Sequence, residues 1–271
     1  MSGYDTKGTA LITGASTGIG AIYADRLARR GFDLILVARN TARLNAVAAK
    51  LAKDTGRAVS VITADLGTAP GLQRVEQVLR ENPAITLLVN NAGFGGVTPL
   101  LQSDVDRMEA MIDINVTALT RLTYAAVPGF VVRGRGAVIN ISSIVAIAPE
   151  VLNGVYGASK AYVLALTQSL QHELADKGVR VQAVLPGATA TEFWDVAGAH
   201  ISNVPESWVM HAEDMVDAAL AGFDLGEVVT IPPLQDGAEW TAYEASRQAL
   251  SKQLMHATPG PRYGIAASRA A

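Results

Sequence analysis

Short apolar runs alternate along the chain with longer stretches in which apolar residues recur every three or four positions. That alternation predicts repeated strand–helix units and hence a parallel sheet. Thr9-Ala10-Leu11-Ile12 reads as a first strand, followed by a glycine-rich turn and a helix through about Arg30. Arg29 and Arg30 suit a helix C-terminus, where cations meet the negative end of the dipole, and Gly31 is a natural terminator. Leu34 to Ala38 is a continuous apolar strand; Leu44, Val47, Ala48 and Leu51 then share one helical face before Gly56. Strands at Ala58 to Thr63 and Ile85 to Val89 bracket a helix marked by Leu72, Val75, Val78 and Leu79.

The same pattern continues downstream. It predicts a helix from Asp104 to about Phe130, a strand from Ala137 to Ile141, and a helix from Tyr156 to Lys177 closed by Gly178. A strand from Val179 to Leu185 follows. From Gly187 to about Ala212 the periodicity fails, and Phe193, Trp194, His200, Pro205 and Trp208 fall in what reads as a loop with short helices. A helix near Asp214 to Phe223, a strand from Glu227 to Ile231, and a tail helical from Asp236 to about Leu254 complete the chain, its end broken by Pro and Gly and expected to be mobile. With no internal repeat and no linker, the expectation is an α/β fold, a doubly wound parallel sheet flanked by helices in a single domain over residues 1–271.

Composition narrows the function classes. Of 271 residues, 49% are hydrophobic and 17% charged, the net charge is −3, and mean hydropathy is +0.24. That balance gives neither the basic footprint nucleic acid requires nor a cationic face for a membrane. The stretch Met1 to Gly8 lacks the apolar run of a signal peptide, and no window reaches the roughly 18 apolar residues of a membrane span, so the expected location is the cytoplasm. Zero cysteines exclude disulfides and thiolate metal sites, and the four histidines, 172, 200, 211 and 256, lack paired ligand spacing. No metal site is expected.

Three groups of residues carry candidate chemistry. Thr13-Gly14-Ala15-Ser16-Thr17-Gly18-Ile19-Gly20 follows a strand and opens a helix, where glycines let the backbone approach a pyrophosphate and the helix N-terminus offers unpaired N–H groups. Its spacing is G-x-x-x-G-x-G rather than G-x-G-x-x-G, and an ordinary glycine-rich turn is the alternative. At the end of the second strand, where an acidic side chain would bind a free ribose hydroxyl, stands Ala38, followed by Arg39, whose guanidinium suits a 2′-phosphate; a solvated strand-end cation is the alternative. Tyr156 and Lys160, four apart at the start of a helical pattern, face one way. A neighbouring ammonium favours the phenolate, as would the positive ring of a bound nicotinamide, and the two together are expected to lower the phenol pKa.

Taken in order, Gly14-x-x-x-Gly18-x-Gly20, Asp65, Asn90-Asn91-Ala92-Gly93, Asn115, Ser143, Tyr156-x-x-x-Lys160 and Pro186-Gly187 span about residues 8 to 235, and the set resembles the short-chain dehydrogenase/reductase family in its NADP-preferring branch. The resemblance implies a Rossmann-type sheet forming one dinucleotide-binding oxidoreductase domain over 1–271, with a substrate loop at about 187–212 and a C-terminal helix and tail at about 236–271. It implies NADP(H) as cofactor and hydride transfer between a small-molecule carbonyl and an alcohol. Asn115, Ser143, Tyr156 and Lys160 then form the catalytic set. Tyr156 is the general acid and base, Ser143 (thirteen residues upstream, with Ser142 its neighbour and competitor) holds the substrate oxygen, Lys160 binds the nicotinamide ribose, and Asn115 holds a water that links Lys160 to solvent. Cofactor contacts fall to Gly14, Ser16, Thr17, Gly18, Ile19, Gly20, Arg39, Asp65, Leu66, Asn91, Ala92, Gly93, Tyr156, Lys160, Pro186, Gly187, Thr189 and Thr191, with Asn90 as a clamp between strands. For Asp65 a turn or helix cap is the alternative. Phe193, Trp194 and Trp208 either line an apolar substrate pocket or pack the lid. The helices from Asp104 and Tyr156 resemble subunit-pairing elements, implying a homodimer or homotetramer. A nucleotide-sensing regulator without turnover is the competing function; the full catalytic set argues against it, and substrate identity stays open.

Overall fold

Leu34, Ile35, Leu36 and Val37 are all buried, because successive side chains of a strand point to opposite faces and this strand has helices on both. The computed structural model describes residues 7–265. Its chain divides into two compact units, residues 1–233 and 234–271. The first contains β1 (Thr9–Thr13), α1 (Gly18–Arg29), β2 (Asp33–Ala38), α2 (Thr41–Thr55), β3 (Val59–Thr63), α3 (Ala69–Glu81) and β4 (Ile85–Asn90). Then come α4 (Val105–Ile112), α5 (Leu119–Val132), β5 (Gly136–Ile141), α6 (Gly154–Leu174), β6 (Val179–Val184), α7 (Phe193–Ala197), α8 (Ala212–Leu225) and β7 (Val229–Thr230).

The seven strands pair in the order β3-β2-β1-β4-β5-β6-β7, every pairing parallel. This is the doubly wound, Rossmann-type sheet that the strand–helix alternation predicts. On one face Tyr23 and Leu27 of α1, Leu44 and Leu51 of α2, and Met215 and Leu220 of α8 pack with Ile12, Leu36, Val89 and Ile139. On the other, Leu72 and Leu79 of α3, Leu122 and Phe130 of α5, and Leu170 of α6 pack with Leu11, Val37, Leu88 and Val138. Burying side chains of this size contributes about 1.5–3 kcal/mol each, and the two cores fix the register in which the strand ends line up.

A buried polar network crosses the middle of the sheet. Asn90 Nδ2 donates to Asn140 Oδ1 (2.9 Å), its partner in the β4–β5 register, and to Thr123 Oγ1 of α5 (3.0 Å). Asn140 in turn donates to Thr167 of α6 (3.0 Å). Between α3 and α5, the carboxylate of buried Glu76 meets Arg80 and Arg121 at 2.6 and 2.5 Å.

Three element boundaries differ from the expected ones for identifiable reasons. The helix expected from Asp104 to Phe130 is interrupted by a π-helical stretch, Asp113–Ala118, between α4 and α5. The helix expected from Tyr156 starts at Gly154, because Asn153 caps it. The last strand is only Val229–Thr230, since Pro232 and Pro233 follow and have no N–H to give a ladder. The second unit carries α9 (Gly237–Ser251), capped by Asp236, with Trp240 and Tyr243 stacked at 5.2 Å. The expectations about a leader at residues 1–6 and a mobile end at 266–271 lie outside the described residues. Among the described residues no helix is long and apolar enough to cross a membrane.

Candidate active site

All strands being parallel, their carboxyl ends share one edge of the sheet, and the β1–β4 switch opens a crevice there. The glycine turn sits in that crevice. Gly14 takes φ +66°, and a side chain there would strike Asn91 Nδ2 at 2.7 Å; at Gly20 a Cβ would lie 2.3 Å from the Gly14 carbonyl oxygen. The glycines are therefore required by close backbone approach. Asn91 Nδ2 donates to the Thr13 and Gly14 carbonyls (2.9 and 3.2 Å), and Thr13 Oγ1 accepts from the N–H groups of Asn91 and Ala92 (3.0 Å each). So the Asn91 side chain shapes the turn. The cap residue of α1, Thr17, is extended, no side chain caps the helix, and no acidic residue occupies the first turn. Those N–H groups and the positive dipole end fit a phosphate.

Arg39 is exposed just beyond β2, after Ala38. Asp65, exposed beyond β3, accepts from Gly67 N–H at 3.0 Å, a turn-closing bond that leaves its second oxygen for other use. Leu66 is a core side chain, so only its backbone is available to a ligand.

The strand ends β4, β5 and β6 bring the other candidates together. Asn115 is buried in the π-helical stretch. Its Nδ2 donates to the Phe94 carbonyl (2.9 Å) and Ser159 Oγ (3.0 Å), and its Oδ1 accepts from Phe94 N–H (3.1 Å). Both amide hydrogens are thus committed, and the side chain grips the segment that follows Gly93. Any side chain at Gly93 would meet Asn115 Oδ1 at 2.7 Å and Lys160 Nζ at 3.7 Å. Lys160 Nζ donates to the Ile141 carbonyl at 2.9 Å.

The two serines after β5 part ways. Ser142 Oγ donates to the Lys160 backbone carbonyl at 2.7 Å, tying β5 to α6, whereas the Ser143 hydroxyl stands near enough to the Tyr156 phenol to lower its pKa. Ser143 also meets the Pro186 carbonyl (3.4 Å) and the Val145 N–H (3.3 Å). Geometry therefore selects Ser143. Pro186 accepts from Ile144 N–H, Thr189 Oγ1 turns back to the Gly187 carbonyl at 3.1 Å, and Thr191 lies over Gly18, 3.4 Å from where a Cβ would stand.

The electrostatics correct one expectation. The phenol of Tyr156 is pushed up to about 12, chiefly by burial, and the nearby Ser143 hydroxyl lowers it only in part. Burial also brings Lys160 down to about 8. Lys160 Nζ lies 5.8 Å from the Tyr156 ring centroid, and in the protein alone loss of hydration sets the direction of the phenol's shift.

Several neighbours were not signalled by motif. Asn153 Oδ1 accepts from Val155 and Tyr156 N–H (2.9 and 3.4 Å), while its Nδ2 donates to the Thr98 carbonyl and Ser103. Asn as a helix cap three residues before Tyr156 was the available signal. Arg43, in the first turn of α2, pairs with Glu192 at 3.0 Å. Phe193 meets the Tyr156 ring at 5.7 Å and Trp194 edge-on at 5.8 Å. Trp194 Nε1 donates to the Thr189 carbonyl, backing the lid, and Trp208 is 72% exposed on a separate turn. Among the described residues no group of three or more His, Asp or Glu side chains stands together.

Residues 8–201 match the short chain dehydrogenase family. A solved short-chain dehydrogenase from Sphingobium yanoikuyae, in complex with NADPH, is 49% identical and superposes with a TM-score of 0.91 over 94% of this chain and 100% of its own. The bulky-bulky ketone specific alcohol dehydrogenase from Comamonas testosteroni is 43% identical, with a TM-score of 0.87 over 94% of this chain and 98% of its own. The very-long-chain 3-oxoacyl-CoA reductase of Anas platyrhynchos is 33% identical over 208 residues, 75% of this chain and 67% of the relative.

Proposed function

The chain belongs to the short-chain dehydrogenase family, and from that premise we propose that Tyr156, Ser143 and Lys160 carry an NADP-dependent interconversion of a carbonyl and an alcohol. The observation that carries this reading is the convergence of buried Tyr156, Ser143 and Lys160, with Lys160 Nζ 5.8 Å from the Tyr156 ring centroid, at the sheet edge where the glycine turn opens α1. Bound NADPH supplies the hydride. Tyr156 holds its proton at neutral pH and delivers it to the substrate oxygen as the carbonyl is reduced; in the reverse direction it takes the proton from the alcohol. Ser143 holds that oxygen in place, an orienting contribution that also stabilises developing negative charge. Lys160, anchored on Ile141, reaches past Gly93 toward the nicotinamide ribose, and Asn115 fixes the backbone on which that reach depends. A sensor without turnover needs none of this buried proton-handling set.

Arg39, with no carboxylate at position 38, supports NADP over NAD. Separate titrations of NADPH and NADH, followed by absorbance loss of the reduced nicotinamide with a panel of ketones and aldehydes, test both the cofactor and the reaction. NADPH is expected to turn over well above NADH. Arg39→Ala is expected to weaken NADPH roughly 10- to 100-fold, the loss of a bidentate charge-assisted contact, and to leave NADH affinity as it was. Equal loss for both cofactors would remove Arg39 from the 2′-phosphate site.

The reading extends to a cytoplasmic carbonyl reductase acting as a homodimer or homotetramer. Tyr124 and Val132, exposed on α5, support an assembly surface there. Light scattering at micromolar concentration is expected to give a multiple of the 28.3 kDa chain mass; the monomer mass overturns it.

A further inference from the structure

Apolar side chains from five separate segments close around the proposed general acid. Met108 and Met111 of α4 and Val145 beyond Ser143 are buried against Tyr156, with Phe94, Leu152, Val155 and Phe193 packed on that cluster. Phe193 differs from the others in how it is held. Its ring is tilted 44° to the Tyr156 ring with centroids 5.7 Å apart, and its tip fills a notch: a Cβ on Gly95 would lie 2.3 Å from Phe193 Cζ and 2.9 Å from Cε2. The short helix that begins at Phe193 is tied down on several sides. Glu192 pairs with Arg43, Trp194 Nε1 bonds the Thr189 carbonyl, Arg107 Nη2 bonds the Val196 carbonyl, and Val97 N–H bonds the Ala197 carbonyl at 3.3 Å. Gly95 has no positive φ, so its backbone does not demand glycine; the space taken by Phe193 does.

We propose that Phe193, seated in the Gly95 notch, is the specificity-determining wall of the substrate site, and that the site selects ketones carrying a flat apolar group, an aryl ring above all, next to the carbonyl. The proposal rests on the carbonyl-reducing reading and adds its substrate class. An aromatic face beside the proton donor offers a flat substituent stacking beyond its area of burial. The wall of Met, Phe, Val and Leu gives a polyhydroxylated substrate no partners for its hydroxyls, which would be desolvated unpaired.

The test compares wild type, Phe193→Leu, Phe193→Ala, Gly95→Ala and the Gly95→Ala/Phe193→Ala double variant. Two substrates are used, an aryl alkyl ketone and a short aliphatic methyl ketone, with calorimetric binding of the aryl carbinol in the presence of NADP as an independent readout. Both Phe193 substitutions are expected to lower the aryl-to-aliphatic ratio of kcat/KM about tenfold, mainly through KM, and to weaken the carbinol by a similar factor. Gly95→Ala drives the ring from its seat and is expected to lower the same ratio. In the Phe193→Ala background, where no ring is left to displace, adding Gly95→Ala is expected to change little. An unchanged ratio in the Phe193 variants overturns the proposal, as does an effect of Gly95→Ala that adds in full to that of Phe193→Ala. If Gly95→Ala fails to fold, the two Phe193 variants decide alone. If wild type reduces neither ketone, the carbonyl reading falls; carbinol binding that drops in Phe193→Leu then still upholds the aryl site, and binding that stays the same overturns it.

Discussion

Tyr156→Phe is expected to lower the turnover number roughly 10²- to 10⁴-fold while the protein still folds and still binds NADPH. The range is what a positioned general acid contributes. The substitution removes one oxygen and leaves the ring, so the packing with Phe193, Val145 and Met111 persists. What is lost is the proton that the substrate oxygen needs. Burial holds the phenol near 12, so reduction finds the proton in place throughout the neutral range. Oxidation needs the phenolate, so its rate in wild type is expected to climb with pH across the range below that value. Single-turnover absorbance measurements in both directions, on wild type and variant, check the two statements together. Retention of more than a tenth of wild-type turnover, with NADPH binding intact, would remove Tyr156 from the proton path.

The sheet was legible because its signal is local. A strand buried on both faces reads as a near-continuous apolar run, as Leu34 to Ala38 of β2 and Leu87 to Val89 of β4 do. The glycine turn was legible for the same reason, its meaning residing in eight consecutive residues. What escaped the sequence is non-local. Nothing near Gly95 announces Phe193, 98 positions later, and nothing near Arg43 announces Glu192. Ser142 and Ser143 are chemically alike in the chain; spacing from Tyr156 favours Ser143, and the structure adds the reason, since Ser142 Oγ is committed to the Lys160 carbonyl. The Tyr156 phenol of the protein alone differs from the expected one for a related reason. Sequence shows the charge four residues away but not the depth of burial, and burial dominates. The π-helical stretch also has no local signature. It comes with the bonds Asn115 makes to Phe94 and Ser159 across the fold.

Lys160→Met is the second large effect, and its two parts point in opposite directions. Turnover is expected to fall at least about 10²-fold, since Lys160 is the one cation set beside Tyr156 and Gly93 in the proposed mechanism. Stability at pH 7 is expected to rise. Lowering a lysine from 10.5 to about 8 means that keeping the ammonium in the folded protein costs about 3 kcal/mol at pH values well below 8. Methionine fills a similar volume without charge, and the Ile141 carbonyl loses a donor at a cost of about 1 kcal/mol. The net gain is therefore about 2 kcal/mol. Its pH dependence follows from which state holds the proton. Between about 8 and 10.5 the unfolded chain binds a proton that the folded protein has released, so wild-type stability rises with pH across that window relative to the variant. The advantage of Lys160→Met should hold from pH 6 to 7.5, shrink from 8 upward, and disappear by 10.5, where wild type retains its Ile141 bond. Urea midpoints at four pH values from 6.5 to 10 measure it. A variant less stable than wild type at pH 7, or a difference that ignores pH, would mean that Lys160 contributes packing rather than a strained charge. A difference that closes on schedule, in a protein that has lost its turnover, identifies the ammonium as a group the fold holds at its own expense beside the reacting atoms.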